Sequence, residues 1–147
     1  MKTIAQILEG KGHEIITLRP GDSVLVALEV LAAYNIGALP VMDNGKLVGI
    51  FSERDYARKV ALKGLTSAVT EVHEIMTSSV LCASLKHTVM DCMALMTDKH
   101  IRHLPVVDKD ELVGMLSIGD LVKTIIEDQQ FQIQQLESYI NPALALH

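Results

Sequence analysis

The chain has 147 residues, 49% of them hydrophobic, and a formal net charge of −5, enough for one average domain or two small ones with a real core. Its 13 Lys and Arg form no basic face and aromatics reach only 3%, which argues against nucleic-acid binding by charge or by base stacking. No window approaches the ~18 uninterrupted apolar residues of a membrane span, and MKTIAQILEGKGHE lacks the features of a secretory signal or a transit peptide, so a cytoplasmic protein is expected.

In chain order, a short lead-in, TIAQIL, precedes EIITLRP, a β-rich run closed by a proline. SVLVALEVLAAYN then carries apolar residues at helical spacing. LPVMD and KLVGIFS flank Asn44-Gly45, the strongest short signal for a type I′ hairpin, and a helix is expected from Ser52. After a linker at about 62–70, the series begins again. EVHEIM leads in, SVLCASL is the β-rich run, TVMDCMALMTDKH is the helix, Lys109-Asp110 stands at the hairpin turn, and a helix starts at Ser117. Pro40 and Pro105, Gly49 and Gly114, Ser52 and Ser117, and Asp55 and Asp120 are each 65 residues apart.

Two gapless copies imply two β-α-β-β-α units packed as one pseudo-symmetric α/β body. The expected boundaries are 1–65, 66–127 and a helical extension over 128–147, and each lead-in can come from the other copy. The closing run DLVKTIIEDQQFQIQQLESYI places Val122, Ile126, Gln129, Ile133, Leu136 and Ile140 on a seam spaced four and three, ended by Asn141-Pro142. The first copy has no counterpart beyond Glu127, so a homodimer contact is the expected use of this seam.

The chemistry of the repeat centres on Ser52, Asp55, Ser117 and Asp120. A serine at a helix start stands beside unpaired N–H groups that suit a phosphate, and an aspartate one turn later can accept both hydroxyl protons of a ribose. The same spacing is close to a capping box, in which the two side chains simply satisfy the helix end. Gly49 and Gly114 favour the site reading by allowing close backbone approach.

His100 and His103 have no third ligand nearby in sequence; His100 aligns with Asn35 and is expected to end a helix in the left-handed conformation. No metal site is expected. Met90, Met93 and Met96 align with Leu25, Leu28 and Leu31 and are expected in the core. Cys82 and Cys92 lack metal or redox spacing and are expected to be reduced and buried. No P-loop, nucleophile elbow or HExxH is present, so an enzyme is not expected.

The ordered series VHEIMTSSV, HIRHLPVVD and GMLSIGD, matched by NIGALPVMD and GIFSERD, resembles the tandem CBS-domain pair, or Bateman module, over nearly the whole chain. The resemblance implies a stand-alone regulatory module of bacterial type. It would bind AMP, ATP, NAD or NADH, or S-adenosylmethionine in clefts between the paired units, with no catalytic cofactor, and signal to an unknown regulated protein. A ligand-free dimerisation scaffold is the alternative.

By the same resemblance Ile36 and Ala38, with Ile101 and His103, precede or open the strands that carry Pro40 and Pro105 and would wall the adenine, and Gly37 belongs to the same nucleotide-binding set. Thr17 and Cys82 would read the base edge, and Arg102 would face the phosphates, which Gly37 cannot do. Arg54 and Ile118 flank the two serines and complete the set. Arg58, Lys59, Lys63 and Lys123 are expected on the solvated surface. Because SERD carries a charge where SIGD carries Gly119, the two sites are expected to differ.

Overall fold

The computed structural model describes residues 1–12 and 14–140. Helix α1 (Ile4–Lys11) opens on a reciprocal cap in which Thr3 Oγ1 accepts from Gln6 N and Gln6 Oε1 accepts from Thr3 N. The first copy follows with α2 (Val24–Tyr34), β1 (Ala38–Asp43), β2 (Lys46–Ser52) and α3 (Glu53–Asp55), which widens into a π-helical stretch, Tyr56–Ala61. The second copy has α4 (Val72–Ile75), α5 (Val89–Lys99), β3 (His103–Asp108), β4 (Glu111–Ser117) and the 23-residue α6 (Ile118–Ile140). The Asn141-Pro142 stop lies outside the described residues.

The fold class is α/β, with two two-stranded sheets, β1-β2 and β3-β4. Both turns have the geometry that the hairpin spacing asks for. Asn44 and Gly45 have φ of 51° and 79°, and Lys109 and Asp110 have φ of 51° and 65°, positive at both central positions as type I′ requires. Asn35 and His100 both end their helices in the left-handed region, at φ 52° and 56°, where their N–H groups close the last turn.

The chain forms two compact units that interleave the sequence. One joins α1 to α5, the base of the second hairpin and α6; the other comprises Glu14–Cys82 with Pro105–Met115 at the tip of that hairpin. Each lead-in therefore belongs with the opposite copy: α1 with the second, α4 with the first. In the unit built on Glu14–Cys82, Leu18, Val24, Ala27, Leu31, Leu39, Val41, Phe51, Val60, Val72 and Ile75 form a continuous core. In the unit containing α6, the buried residues include Ile4, Val89, Met96, Leu116 and Leu121.

The linker caps α2. Val24 N donates to Thr70 O (2.8 Å), Leu25 N to Ser67 O (3.0 Å) and Val26 N to Ser23 Oγ (3.1 Å), so three of the four N–H groups that a helix start leaves open are satisfied.

Three expectations need correction. EIITLRP and SVLCASL do not form strands: the first is reduced to a bridge between Leu18 and Val41 and the second holds a single bridging residue, Ala83. Of the three aligned methionines only Met96 is buried; Met90 is 58% exposed, as its counterpart Leu25 is 42% exposed. Cys92 is buried, but Cys82 is only half-buried. A turn that faces water on one side leaves the first position of such a stripe outside the core, whatever its side chain.

Gly49 is buried on β2, and a Cβ there would fall on the Sδ of Met76 and lie 2.8 Å from its Cγ. Its close approach is to that side chain. Gly49→Ala should cost about 1–3 kcal/mol by overpacking, and urea unfolding should show part of that loss recovered when Met76→Ala is added.

Candidate nucleotide-binding site

In both copies the last strand runs directly into a helix, and the junction is held the same way. In the first, Ser52 Oγ accepts from Asp55 N (3.2 Å) while Asp55 Oδ2 accepts from Ser52 N (3.0 Å). In the second, Ser117 Oγ accepts from Asp120 N (3.1 Å) and Asp120 Oδ2 from Ser117 N (2.8 Å). The next N–H of each helix reaches back to the residue at or before the hairpin's first strand: Glu53 N donates to Gly37 O (3.1 Å) and Ile118 N to Arg102 O (2.8 Å). The capping box is therefore formed in both copies.

These bonds gather the expected residues locally. In the first copy Gly37 is tied to the start of α3, Ala38 pairs with Ser52, and Leu18 N donates to Pro40 O (2.9 Å), which sets the neighbouring Thr17 near the middle of β1. Ile36 is half-buried beside the helix end, where its N–H donates to Leu31 O (3.1 Å). In the second copy Ile101 N donates to Met96 O (3.0 Å), Arg102 is tied to Ile118, and His103 opens β3. Arg54 and Arg102 are exposed, whereas Pro40 and Pro105 are buried. The Cys82 thiol donates to Val80 O, and burial pushes its pKa up, away from a reactive thiolate.

The two aspartates differ in what else they hold. Asp55, its side chain 7% exposed, also accepts from Ser52 Oγ (3.0 Å), Thr77 Oγ1 (3.1 Å) and Lys59 Nζ (2.9 Å). Lys59 in turn donates to Ile75 O (3.0 Å), so it is tied at two points although its side chain stays 41% exposed. Asp120, 21% exposed, pairs with Lys11 Nζ at 2.7 Å. Burial raises its pKa, but hydrogen bonds and charge from Lys11 and the N–H and hydroxyl of Ser117 outweigh that and hold the carboxyl below its usual value.

Lys11 and Thr77 escaped the sequence reading. A signal was available: at the 65-residue step Lys11-Gly12 stands opposite Met76-Thr77, and Lys59 opposite Thr124. A separate hollow of about 280 Å³, between the start of α1 and the middle of α6, includes Lys2, Glu127 and Phe131 and none of the expected site residues.

The family model for the CBS domain matches this chain twice, over residues 12–62 and 72–127. The chain belongs to the CBS-domain family. Among relatives, the mitochondrial CBS domain-containing protein CBSX3 of Arabidopsis thaliana is 35% identical over 147 residues, covering 94% of this chain and 71% of that protein. A signal-transduction protein with CBS domains from Burkholderia ambifaria MC40-6 is 46% identical in its solved structure, with a TM-score of 0.83 over 87% of this chain and 96% of that one. The CBS domain pair of protein MJ0100, solved with 5′-methylthioadenosine and S-adenosyl-L-methionine, is 28% identical, with a TM-score of 0.76 over 87% of this chain and 98% of that one. Tandem CBS copies of the same architecture thus occur in proteins of signal transduction. No helix among the described residues is long and apolar enough to cross a membrane.

The lowered pKa of Asp120 links the second CBS copy to pH. A carboxyl depressed in the folded state stabilises the fold above its unfolded value of about 3.9, and that stability is lost as pH falls through the lower folded value. Asp120→Asn should therefore lower stability at pH 7 by about 1 kcal/mol. Denaturant titrations should show the gap between wild type and variant closing below about pH 4.

Proposed function

We propose that this CBS pair is a regulatory module that binds an adenosyl nucleotide, of the class AMP, ATP, NAD(H) or S-adenosylmethionine, and passes its occupancy to a partner protein. The observation that carries this reading is the repeated strand-to-helix junction. It sets a carboxylate beside a helix start, hydroxyl and N–H donors around it, and half-buried apolar residues at the strand entry. A ribose needs acceptors for two hydroxyls, a phosphate needs N–H donors and a cation, and adenine needs an apolar wall.

The residues proposed for these tasks are Ser117, Ile118 and Asp120 with Ile101, Arg102, His103 and Pro105 in the second copy. Ser52, Arg54 and Asp55 with Ile36, Gly37, Ala38 and Pro40 stand at the equivalent places of the first copy, and Thr17 and Cys82 flank the base edge. The relation to a CBS pair that holds 5′-methylthioadenosine and S-adenosylmethionine supports the adenosyl class. Asp55 and Asp120 each close the capping box of their own helix, the same task in both copies; a sensor fits the site better than an enzyme.

A thermal-shift panel of AMP, ADP, ATP, NAD, NADH and S-adenosylmethionine tests the reading. A ligand at about 100 times its Kd should stabilise the fold by about 2.7 kcal/mol. No shift with any of them would favour a ligand-free scaffold.

The scaffold reading has an observation of its own. Every position of the α6 seam is exposed, including Val122 at 40%, Ile126 at 48%, Ile133 at 54%, Leu136 at 63% and Ile140 at 80%. A row this long and apolar is the pattern of a helix that pairs, and we propose a second copy of the chain as its partner, so that the module works as a homodimer. Truncation after Gln130 removes Ile133, Leu136 and Ile140 but spares Ser117 and Asp120. Sedimentation velocity across a concentration series should show weaker self-association of the truncated chain, and an unchanged dimerisation constant would rule this helix out.

A further inference from the structure

We propose that the two CBS copies are not alternative homes for the same ligand: the second copy, through Asp120, takes the ribose of a nucleotide, while Asp55 of the first copy is a structural carboxylate closed to it. This rests on the nucleotide reading above and decides where that ligand sits.

A carboxylate has two oxygens and about four lone-pair positions. Asp55 has four donors on them. Oδ2 takes Ser52 N and Ser52 Oγ, each at 3.0 Å, and Oδ1 takes Thr77 Oγ1 at 3.1 Å and Lys59 Nζ at 2.9 Å. Its side chain is almost wholly buried, and Lys59 is held at its other side by Ile75 O. A ribose diol could reach Asp55 only by displacing Thr77 and Lys59 together from a carboxylate whose side chain is 7% exposed.

Asp120 is coordinated from one side. Ser117 N at 2.8 Å and Lys11 Nζ at 2.7 Å both go to Oδ2, the Ser117 hydroxyl adds a further interaction, and among the described residues no counterpart of the Thr77 hydroxyl reaches Oδ1. Its side chain is three times as exposed as that of Asp55, 21% against 7%. An acceptor oxygen is therefore available for a hydroxyl without breaking the cap that holds α6.

The difference is written in the repeat itself. At the 65-residue step Lys59 becomes Thr124, which turns its hydroxyl to Asp120 O within α6 (3.0 Å), and Thr77 corresponds to Gly12, which has no side chain to offer. Met76, which covers Gly49, corresponds to Lys11. The first copy thus has two extra donors and an apolar cover where the second has a hydroxyl turned away, a bare glycine and a cation. Lys11, carried by α1, becomes the residue whose pairing reports on the site, because a hydroxyl arriving at Asp120 competes with it for the carboxylate.

Isothermal titration of the intact chain with AMP, and separately with 5′-methylthioadenosine, reads this as a stoichiometry. Wild type should bind one ligand per chain, and Asp120→Asn should weaken that binding about 10- to 100-fold, the worth of charge-assisted bonds. Replacing Lys59 and Thr77 with their second-copy counterparts, Lys59→Thr with Thr77→Gly, should open Asp55 and raise the stoichiometry toward two. Circular dichroism melts should show both variants folded. Two equivalent ligands per wild-type chain, or one retained at full affinity in a folded Asp120→Asn, overturns the assignment while leaving the nucleotide reading intact. If neither probe binds wild type, the titration is run with whichever nucleotide of the panel shifts the melt, and no shift with any of them overturns that reading and the assignment with it.

Discussion

One constraint organises both copies: the serine that ends each hairpin and the aspartate three residues on must satisfy each other's backbone. A helix start exposes N–H groups that nothing inside the helix can bond. Here the serine hydroxyl takes one, the aspartate returns to the serine N–H, and a third N–H reaches a carbonyl at the entry to the hairpin. The bonds fix the direction in which the helix leaves the sheet and hold the residues before the first strand against its start. On the proposed nucleotide reading, one carboxylate is asked to do two jobs. A carboxylate with an oxygen still open has room for the second job, and a fully coordinated one does not.

That difference in coordination arises from residues outside the Ser-x-x-Asp motif, contributed by elements that the motif does not mention. In the first copy they come from the π-helical stretch after α3 and the segment after α4; in the second they come from α1. Lead-in helices are thus more than connectors. Each brings to the opposite copy the side chains that decide whether the capping carboxylate is enclosed or approachable, and a lead-in that carries a cation onto that carboxylate is placed to feel its occupancy. Coupling of this kind needs no contact other than the ion pair itself, since ligand and lysine compete for the same charge.

Much of the fold was legible because local backbone chemistry set it. The gapless repeat gave the two hairpins, Asn44-Gly45 and Lys109-Asp110 gave their turns, and the alignment of His100 with Asn35 gave the left-handed helix ends. The α6 seam was legible too, since every residue on it is exposed. What failed depended on partners that spacing does not reveal. EIITLRP and SVLCASL have β-branched residues, but a strand exists only where a neighbour offers a run of hydrogen bonds, and Leu18 makes a single bridge. Met90 shares a helical stripe with Met96, yet lies where that helix faces water. Gly49 looked like an opening for a ligand and is filled by Met76. Lys59 keeps a 41% exposed side chain, as expected of a surface lysine, but that its i,i+4 partner is a buried aspartate cannot be told by sequence. For the site, the repeat pointed to the aspartates, and only their coordination separated them.

The measurement that bears most directly on this account is a crystal structure of the chain grown with saturating AMP. The ribose hydroxyls should lie within hydrogen-bond distance of Asp120 in the second copy, with Asp55 still bonded to Ser52, Thr77 and Lys59. A ribose on Asp55, with Thr77 and Lys59 turned away from it, would contradict the account at its centre.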